Sequence, residues 1–335
     1  MAPRLPSTLP PVLRRLRLPM IAAPMFIVSV PELVIAQCKA GVIGSFPALN
    51  ARDDEEDLSA GNTMLDRWLT DITEALDRHN QANPDRPAAP FAVNQIVHRT
   101  NARLMRDIEI CERWKVPIWI TSLGARPEVN EAAHACGGIA LHDVINVTYA
   151  RKAIEKGADG LIAVAAGAGG HAGRQNPFAL VEEIREWFDG PLLLSGAIAT
   201  GRALLAAQVM GADLGYVGSP FIATREANAD GAYKEMIVSG SADDIVTTSY
   251  FTGVSGNYLR GSITRAGLDP GDLEERKKAI DFAGGSSKAK AWRDIWGSGQ
   301  GIAAVKSVAS VEDLVGRLER EYRQASALFQ PVAAQ

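Results

Sequence analysis

Eight short apolar runs, most of them followed by a longer stretch with apolar residues at helical spacing, pace this chain as far as residue 218. The runs cover residues 19–24, 42–46, 91–94, 116–121, 138–141, 160–165, 191–196 and 214–218. Among the intervening stretches, 101–114, 148–156, 177–188 and 200–210 repeat apolar residues with the period of an amphipathic helix. Within the runs hydrophobicity is continuous rather than alternating. Both faces of each strand must therefore be buried, as in a parallel sheet covered by helices. Eight such units predict a TIM (β/α)8 barrel of the α/β class. An open doubly wound sheet usually sets its glycine-rich phosphate loop after the first strand. Here the first run ends in Ala23-Pro24-Met25, and glycine-rich loops follow the sixth, seventh and eighth runs, where barrels commonly build a phosphate site.

After Ser219 the pattern changes. Residues 225–240 read as helical, 247–263 are rich in Gly, Ser, Thr and Tyr, 269–283 suggest a charged helix, and Gly284-Gly285-Ser286-Ser287 reads as a hinge or turn. Residues 311–329 read as a closing amphipathic helix begun by Ser310 with Asp313 three positions on, close to a capping box. The division that follows is a barrel over 1–224, an appended substrate or lid segment over 225–301, and a closing helix packed on the barrel over 302–335. The net charge of −4 is spread over both signs, which excludes a basic stripe for nucleic-acid phosphates or anionic lipid. Cys38, Cys111 and Cys136 lack CxxC spacing, and no apolar run approaches the ~20 residues of a membrane span. The N-terminal segment with Arg14-Arg15-Leu16-Arg17 lacks the apolar core of a signal peptide. A reduced, cytoplasmic, membrane-free setting is expected, with a homodimer left open.

In such a barrel, ligands are met by residues just past the C-terminal ends of the strands. That rule selects Ala23-Pro24-Met25, Ser45-Phe46, Asn94-Gln95, Ser122, His142-Asp143, the loop 166–173, Gly196-Ala197 and Gly218-Ser219. Gly196-Ala197 and Gly218-Ser219 each stand between a strand and a helix, where bare amides and a helix N-terminus can face a phosphate, or where glycine merely makes a tight turn. The densest glycine cluster, Gly167-Ala168-Gly169-Gly170-His171-Ala172-Gly173, carries an imidazole. A dinucleotide reading of it fails, because Pro177 rather than the last glycine sets the first helical turn. His171 is thus the candidate catalytic base, against the alternative of a solvated loop histidine. His79 is expected in a polar exposed helix, His134 at the far end of the barrel and His98 as a loop holder; His142 or Asp143 either contacts a ligand or caps a helix. No HxxxH, HExxH, Cys/His cluster or GxSxG elbow is present, which argues against a metal centre or a serine nucleophile.

These residues together resemble a known family. Pro19 to Met25, Gly41 to Phe46, Ala92-Val93-Asn94, Ala168 to Gly173, Gly211-Ala212-Asp213 leading to Gly218-Ser219-Pro220-Phe221, and Trp296-Gly297-Ser298-Gly299-Gln300-Gly301 are similar, in order, to the pattern of the nitronate monooxygenases (2-nitropropane dioxygenases). The resemblance implies a barrel that holds FMN non-covalently. It places Ala23, Pro24, Met25 and Asn94 near the isoalloxazine ring, Gly196, Ala197, Gly218 and Ser219 at the phosphate, and His171 beside the flavin. His142, Ala165, Gly170 and Gln300 complete the cofactor-binding set carried over from it. The chain departs from common relatives where a lysine after the fifth strand is replaced by His142-Asp143, and where a glutamate before the GGH motif is Gly167. The activity implied is oxidation of alkyl nitronates, such as propionate 3-nitronate, by O2 to a carbonyl compound and nitrite. In it, His171 serves either as a base of near-neutral pKa for a nitroalkane or as an imidazolium that binds a preformed nitronate. Two other readings are an FMN-dependent NAD(P)H reductase of a quinone or enoyl thioester on the same barrel, and a flavin- or phospholigand-binding protein without turnover.

Overall fold

The computed structural model describes residues 9–53, 63–273 and 294–328. All eight expected strands are present: β1 (Met20–Ala22), β2 (Gly44–Pro47), β3 (Phe91–Ile96), β4 (Ile118–Ser122), β5 (Ile139–Val144), β6 (Gly160–Val164), β8 (Leu192–Ser195) and β9 (Leu214–Val217). They pair in parallel in the order β1-β9-β8-β6-β5-β4-β3-β2. The cycle closes through the parallel bridge Ile21–Ile43, where Ala22 N–H donates to Ile43 O at 2.8 Å. The structure is a TIM barrel.

Side chains alternate between the two surfaces of each strand. One set, including Ile21, Ile43, Ala92, Ile118, Ile120, Leu141, Ile162, Leu193 and Leu214, forms the apolar interior. The other set, including Met20, Ala22, Leu161, Ala163, Leu192 and Leu194 on one side and Phe46, Val93, Trp119 and Ala140 on the other, packs against the helices. The N-terminal arm supplies Leu9, Leu13 and Leu16 to the interior cluster and stoppers the N-terminal end of the barrel. Each of these leucines contributes about 1.5–3 kcal/mol by leaving water.

Continuing the same parity to the C-terminal ends of the strands replaces apolar residues by polar ones. Ser45, Asn94, Ser122, Asp143, Ser195 and Tyr216 line the mouth. The arm closes one end of the barrel, and the polar ring at the other is left to meet a ligand.

The segment after the barrel is joined to it more closely than a separate lid would be. The helix Gly231–Ser239 starts at its cap Asp230, later than the expected residue 225, because the Asp230 carboxylate accepts from Ala232 N–H. Strands β10 (Ile245–Thr248) and β11 (Gly256–Leu259) form an antiparallel hairpin, and β11 continues onto a two-residue strand, β7 (Gly170–His171), taken from the loop after β6. At Asp269 the chain makes a turn, with Asp272 N–H donating to Asp269 O, instead of starting the expected charged helix. The rest of that helix and Gly284 to Ser287 lie outside the described residues. Among the described residues no helix is long and apolar enough to cross a membrane.

The closing helix, Val311–Leu328, lies across the N-terminus of the helix Gly201–Val209. The Glu321 carboxylate accepts from Gly201 N–H at 2.8 Å, and Arg17 pairs with Glu312 and Glu319 of the same helix at 2.7 and 2.8 Å. Contact here is backbone to backbone. A Cβ built at Gly201 would stand 2.0 Å from Leu318 O and 2.3 Å from Tyr322 N. Gly201→Ala, which on propensity alone would be mildly stabilising in a helix, is therefore expected to cost about 1–3 kcal/mol by overpacking. Urea unfolding with an unchanged m-value measures that loss.

Candidate active site

The loops expected to meet a ligand converge on one side of the mouth. Ala23 N–H donates to Val217 O at 2.8 Å, which splices the Ala23-Pro24-Met25 turn to the end of β9. A Cβ at Gly218 would lie 3.5 Å from Ala23 Cβ and 3.7 Å from Met25 Sδ, so these two loops touch. Gly167 O accepts from Ala197 N–H at 3.2 Å and from Gln300 N–H at 3.0 Å. Ser219 Oγ accepts from Gly299 N–H at 2.8 Å. The loops after β1, β6, β8 and β9 and the Gly299-Gln300 turn thus form one continuous rim. Gly169 is needed in it, since a Cβ there would stand 2.7 Å from Gly299 N.

Two expectations about this rim change in detail. The amide of Ala197 donates to Gly167 O, and at the N-terminus of the helix Gly201–Val209 Thr200 Oγ1 accepts from Ala203 N–H and the Glu321 carboxylate from Gly201 N–H, so these amides are spent within the protein. The main chain at Gly196, Gly218 and Ser219 remains for a phosphate. The Ala165 methyl is fully buried in the helix-facing core with Ile198 and Leu204, which leaves only its backbone near the mouth.

His171 is held by the small sheet. Its strand pairs with β11 as Gly170–Asn257 and His171–Gly256, Ala172 N–H donates to Ser255 O at 3.1 Å, and Asn257 Nδ2 donates to Ala168 O at 2.6 Å. His171 Nε2 lies 3.1 Å from Thr252 Oγ1, which also lies 3.0 Å from Val254 O. A Cβ at Gly170 would meet nothing within 4 Å. Burial lowers the His171 pKa to about 4, which corrects the near-neutral value expected from the sequence. At neutral pH the imidazole is uncharged, and the imidazolium that was to hold an anion is not the resting form.

The wall formed by β3, β4 and β5 is polar at its C-terminal end. Asn94 is buried, and its Nδ2 donates to Ile120 O at 3.1 Å and to Ser122 Oγ at 2.8 Å, which turns its carbonyl Oδ1 to the mouth. Ser122 and the Leu123 amide act on the Asp143 carboxyl as donors, and both lower its pKa. Burial raises the Asp143 pKa to about 6 in spite of those two donors. Tyr216 is pushed well above the usual phenol range, first by burial and then by the charge of Asp143.

His142 does not belong to this wall. Strand parity turns it to the helix side, where its Nδ1 bonds Thr121 Oγ1 and where Gln95, likewise outward, bonds Cys111 Sγ. Burial lowers its pKa to about 4 and keeps it neutral. The neighbour that enters the mouth is Asp143, and counting two residues on from the inward Leu141 is the signal that finds it. Of the other histidines, His134 pairs with Asp159 at 2.8 Å and His98 bonds Thr100 at 2.9 Å. His79, expected exposed, is half-buried with Nε2 at 3.2 Å from Arg86 O. Tyr258 is buried with Ile263 and Ile295 in a small core of the appended segment, and Arg260 is exposed.

This arrangement fits a heteroaromatic ring with a phosphate tail. One wall offers a carbonyl, a hydroxyl and a carboxyl in a row, as the donor–acceptor edge of such a ring requires, and the glycine rim lets a ligand approach the backbone closely.

The chain matches the nitronate monooxygenase family over residues 12–321. It is 26% identical to the nitronate monooxygenase of Paraburkholderia phytofirmans, aligned over 92% of this chain and 93% of the relative. It is 25% identical to the nitronate monooxygenase of Neurospora crassa over 94% and 91%. In fold it is similar to nitroalkane oxidase from Streptomyces ansochromogenes, with a TM-score of 0.74 at 22% identity over 93% and 98% of the two chains. FabK from Thermotoga maritima shares the fold with a TM-score of 0.70 at 22% identity over 95% and 96%. With the match running over nearly its whole length, the chain belongs to the nitronate monooxygenase family, whose members are oxidoreductase enzymes.

Proposed function

We propose that this protein binds FMN at the barrel mouth and oxidises alkyl nitronates, propionate 3-nitronate among them, with O2. In the net change two nitronate anions and one O2 give two carbonyl compounds and two nitrite ions, each nitro-bearing carbon gaining one oxygen atom as its C–N bond breaks. FMN, when bound, supplies the electron transfer between substrate and O2. Main-chain groups at Gly196, Gly218 and Ser219 would hold its phosphate, and Ala23, Pro24, Met25 and Asn94 its ring. The observation that carries the reading is an uncharged imidazole, His171, clamped by a hairpin in the loop after β6, at the same end of the barrel as the polar residues Asn94, Ser122 and Asp143.

For a neutral nitroalkane, that imidazole takes the α proton. A neutral imidazole keeps one ring nitrogen lone pair, and that lone pair is the proton acceptor, while Thr252 Oγ1, 3.1 Å from Nε2, orients the ring. A preformed nitronate needs no proton removed, so it bypasses this step. His171→Ala is accordingly expected to lose at least about 100-fold in kcat/KM on a neutral nitroalkane, the usual scale of a general base. FMN binding and turnover of the preformed nitronate should fall far less. Oxygen uptake with each substrate form measures this, and equal turnover of the nitroalkane by variant and parent would remove His171 from the mechanism.

The sign of the pH dependence follows from burial. The base works only when neutral, so kcat/KM for a nitroalkane should persist as pH falls through 6.5, where an ordinary imidazole charges, and decline only toward pH 4. An acid limb at 6.5 in the rate profile would contradict the buried setting of His171. Anaerobic mixing tests the activity itself: nitronate should bleach the flavin, whereas rapid bleaching by NADH or NADPH alone would move the protein to the reductase reading. A purified chain that binds no FMN would end the proposal.

A further inference from the structure

Among the described residues, Asp143 is the carboxyl that strand parity sets in the polar ring of the mouth, and none of the interactions named above makes it half of an ion pair. Its neighbours are well defined. On β4, Ser122 and the amide of Leu123 point hydrogens at it; on β6, its register partner is the apolar Ile162; on β9, the titratable group acting on it is Tyr216, a phenol that stays neutral. His142, next to it on β5, faces the helices and is itself neutral. Besides burial, the groups among the described residues that shift its pKa are Ser122 and the Leu123 amide. Leu123 adopts a left-handed backbone, φ +64°, which an L residue occupies only at some cost.

A purely structural role in holding the loop after β4 explains little, because that loop has other ties. Val97 N–H donates to Ser122 O at 2.8 Å, and Gly124 fits so closely that a Cβ there would lie 2.3 Å from Val97 O. What the carboxyl does complete is a directional chain. Asn94 Nδ2 donates to Ser122 Oγ at 2.8 Å, Ser122 acts on the Asp143 carboxyl as a donor, and the parity of β5, with Leu141 in the interior two residues before, sets that carboxyl at the mouth.

We infer that Asp143 meets the hydrogen-bonding edge of the bound flavin ring and sets its reduction potential, because a carboxylate there opposes the negative charge that the ring gains with electrons. This rests on the FMN reading above. Protonated, the acid can donate a hydrogen bond to a ring oxygen or nitrogen; ionised, it can only accept and repel. With a pKa raised to about 6, the switch falls within the working range of the protein. Below that pH the reduced ring is supported by a neutral donor. Above it, the reduced ring faces a buried negative charge with no paired cation.

The test is the midpoint potential of bound FMN, poised with dithionite against a reference dye, in the wild-type holoprotein and in Asp143→Asn between pH 5 and 8. At pH 5 the two should coincide. At pH 8 the variant should favour reduced over oxidised flavin by about tenfold more than wild type, the equivalent of one pKa unit of interaction. Ser122→Ala, which removes a donor to the carboxylate, should raise the pH at which wild-type behaviour departs from that of Asp143→Asn. If Asp143→Asn does not fold, the upward movement of the break between wild type and Ser122→Ala decides the matter. Superimposable curves for wild type and Asp143→Asn, or an unmoved break in Ser122→Ala, overturn the role of Asp143 while leaving bound FMN and the functional reading intact. A wild-type protein that takes up no FMN overturns both.

Discussion

A barrel strand can send a side chain to only two places, the interior or the helix layer, and successive residues must alternate between them. The site of this protein depends on that constraint. The parity that packs Ile120, Leu141 and Leu214 into the interior also sends Ser122, Asp143 and Tyr216 into the mouth two residues later. It removes His142 from the mouth with equal force. One change of polarity at the ends of the strands therefore turns a packed core into a binding surface without altering the backbone.

The second requirement is close approach of loops. The chain between residues 167 and 173 stays in place because three other segments press on it: the Ala197 amide, the turn at Gly299-Gln300 and the strand Gly256–Leu259. Several of those contacts are backbone on backbone, at distances that exclude a Cβ, as at Gly169 and Gly299. A histidine on a free glycine loop would be solvated and ordinary in pKa. Clamped by a hairpin from a distant part of the chain, His171 is desolvated enough to stay neutral at any pH the protein meets in ordinary use.

Much of this was legible beforehand. The continuous hydrophobicity of the eight runs, the glycine loops after the later strands and the Trp296 to Gly301 motif specify the barrel, its working end and a shared rim. The two-residue strand at Gly170–His171 was not legible, since no periodicity exists in two residues and its partner lies some eighty positions away. The late start of the helix at Gly231 followed from a local competitor, the Asp230 cap, that outweighed apolar spacing. His142 and Asp143 stand at the same strand end, where the residues alone left both open and the family resemblance pointed to His142; strand parity turns His142 to the helices and Asp143 to the mouth.

By itself the sequence determined what depends on local chemistry: which segments are buried strands, where glycine permits sharp turns, and which end of the barrel is polar. The tertiary structure alone decided which amides are free for a ligand, which way each polar side chain points, and how ionisable groups are charged. Those properties depend on partners far apart in the chain, as when Glu321 caps Gly201 or Thr252 meets His171. Desolvation in particular is a property of everything packed around a group, so the neutral imidazole of His171 and the raised acid of Asp143 exist only once the barrel, the hairpin and the loops have come together.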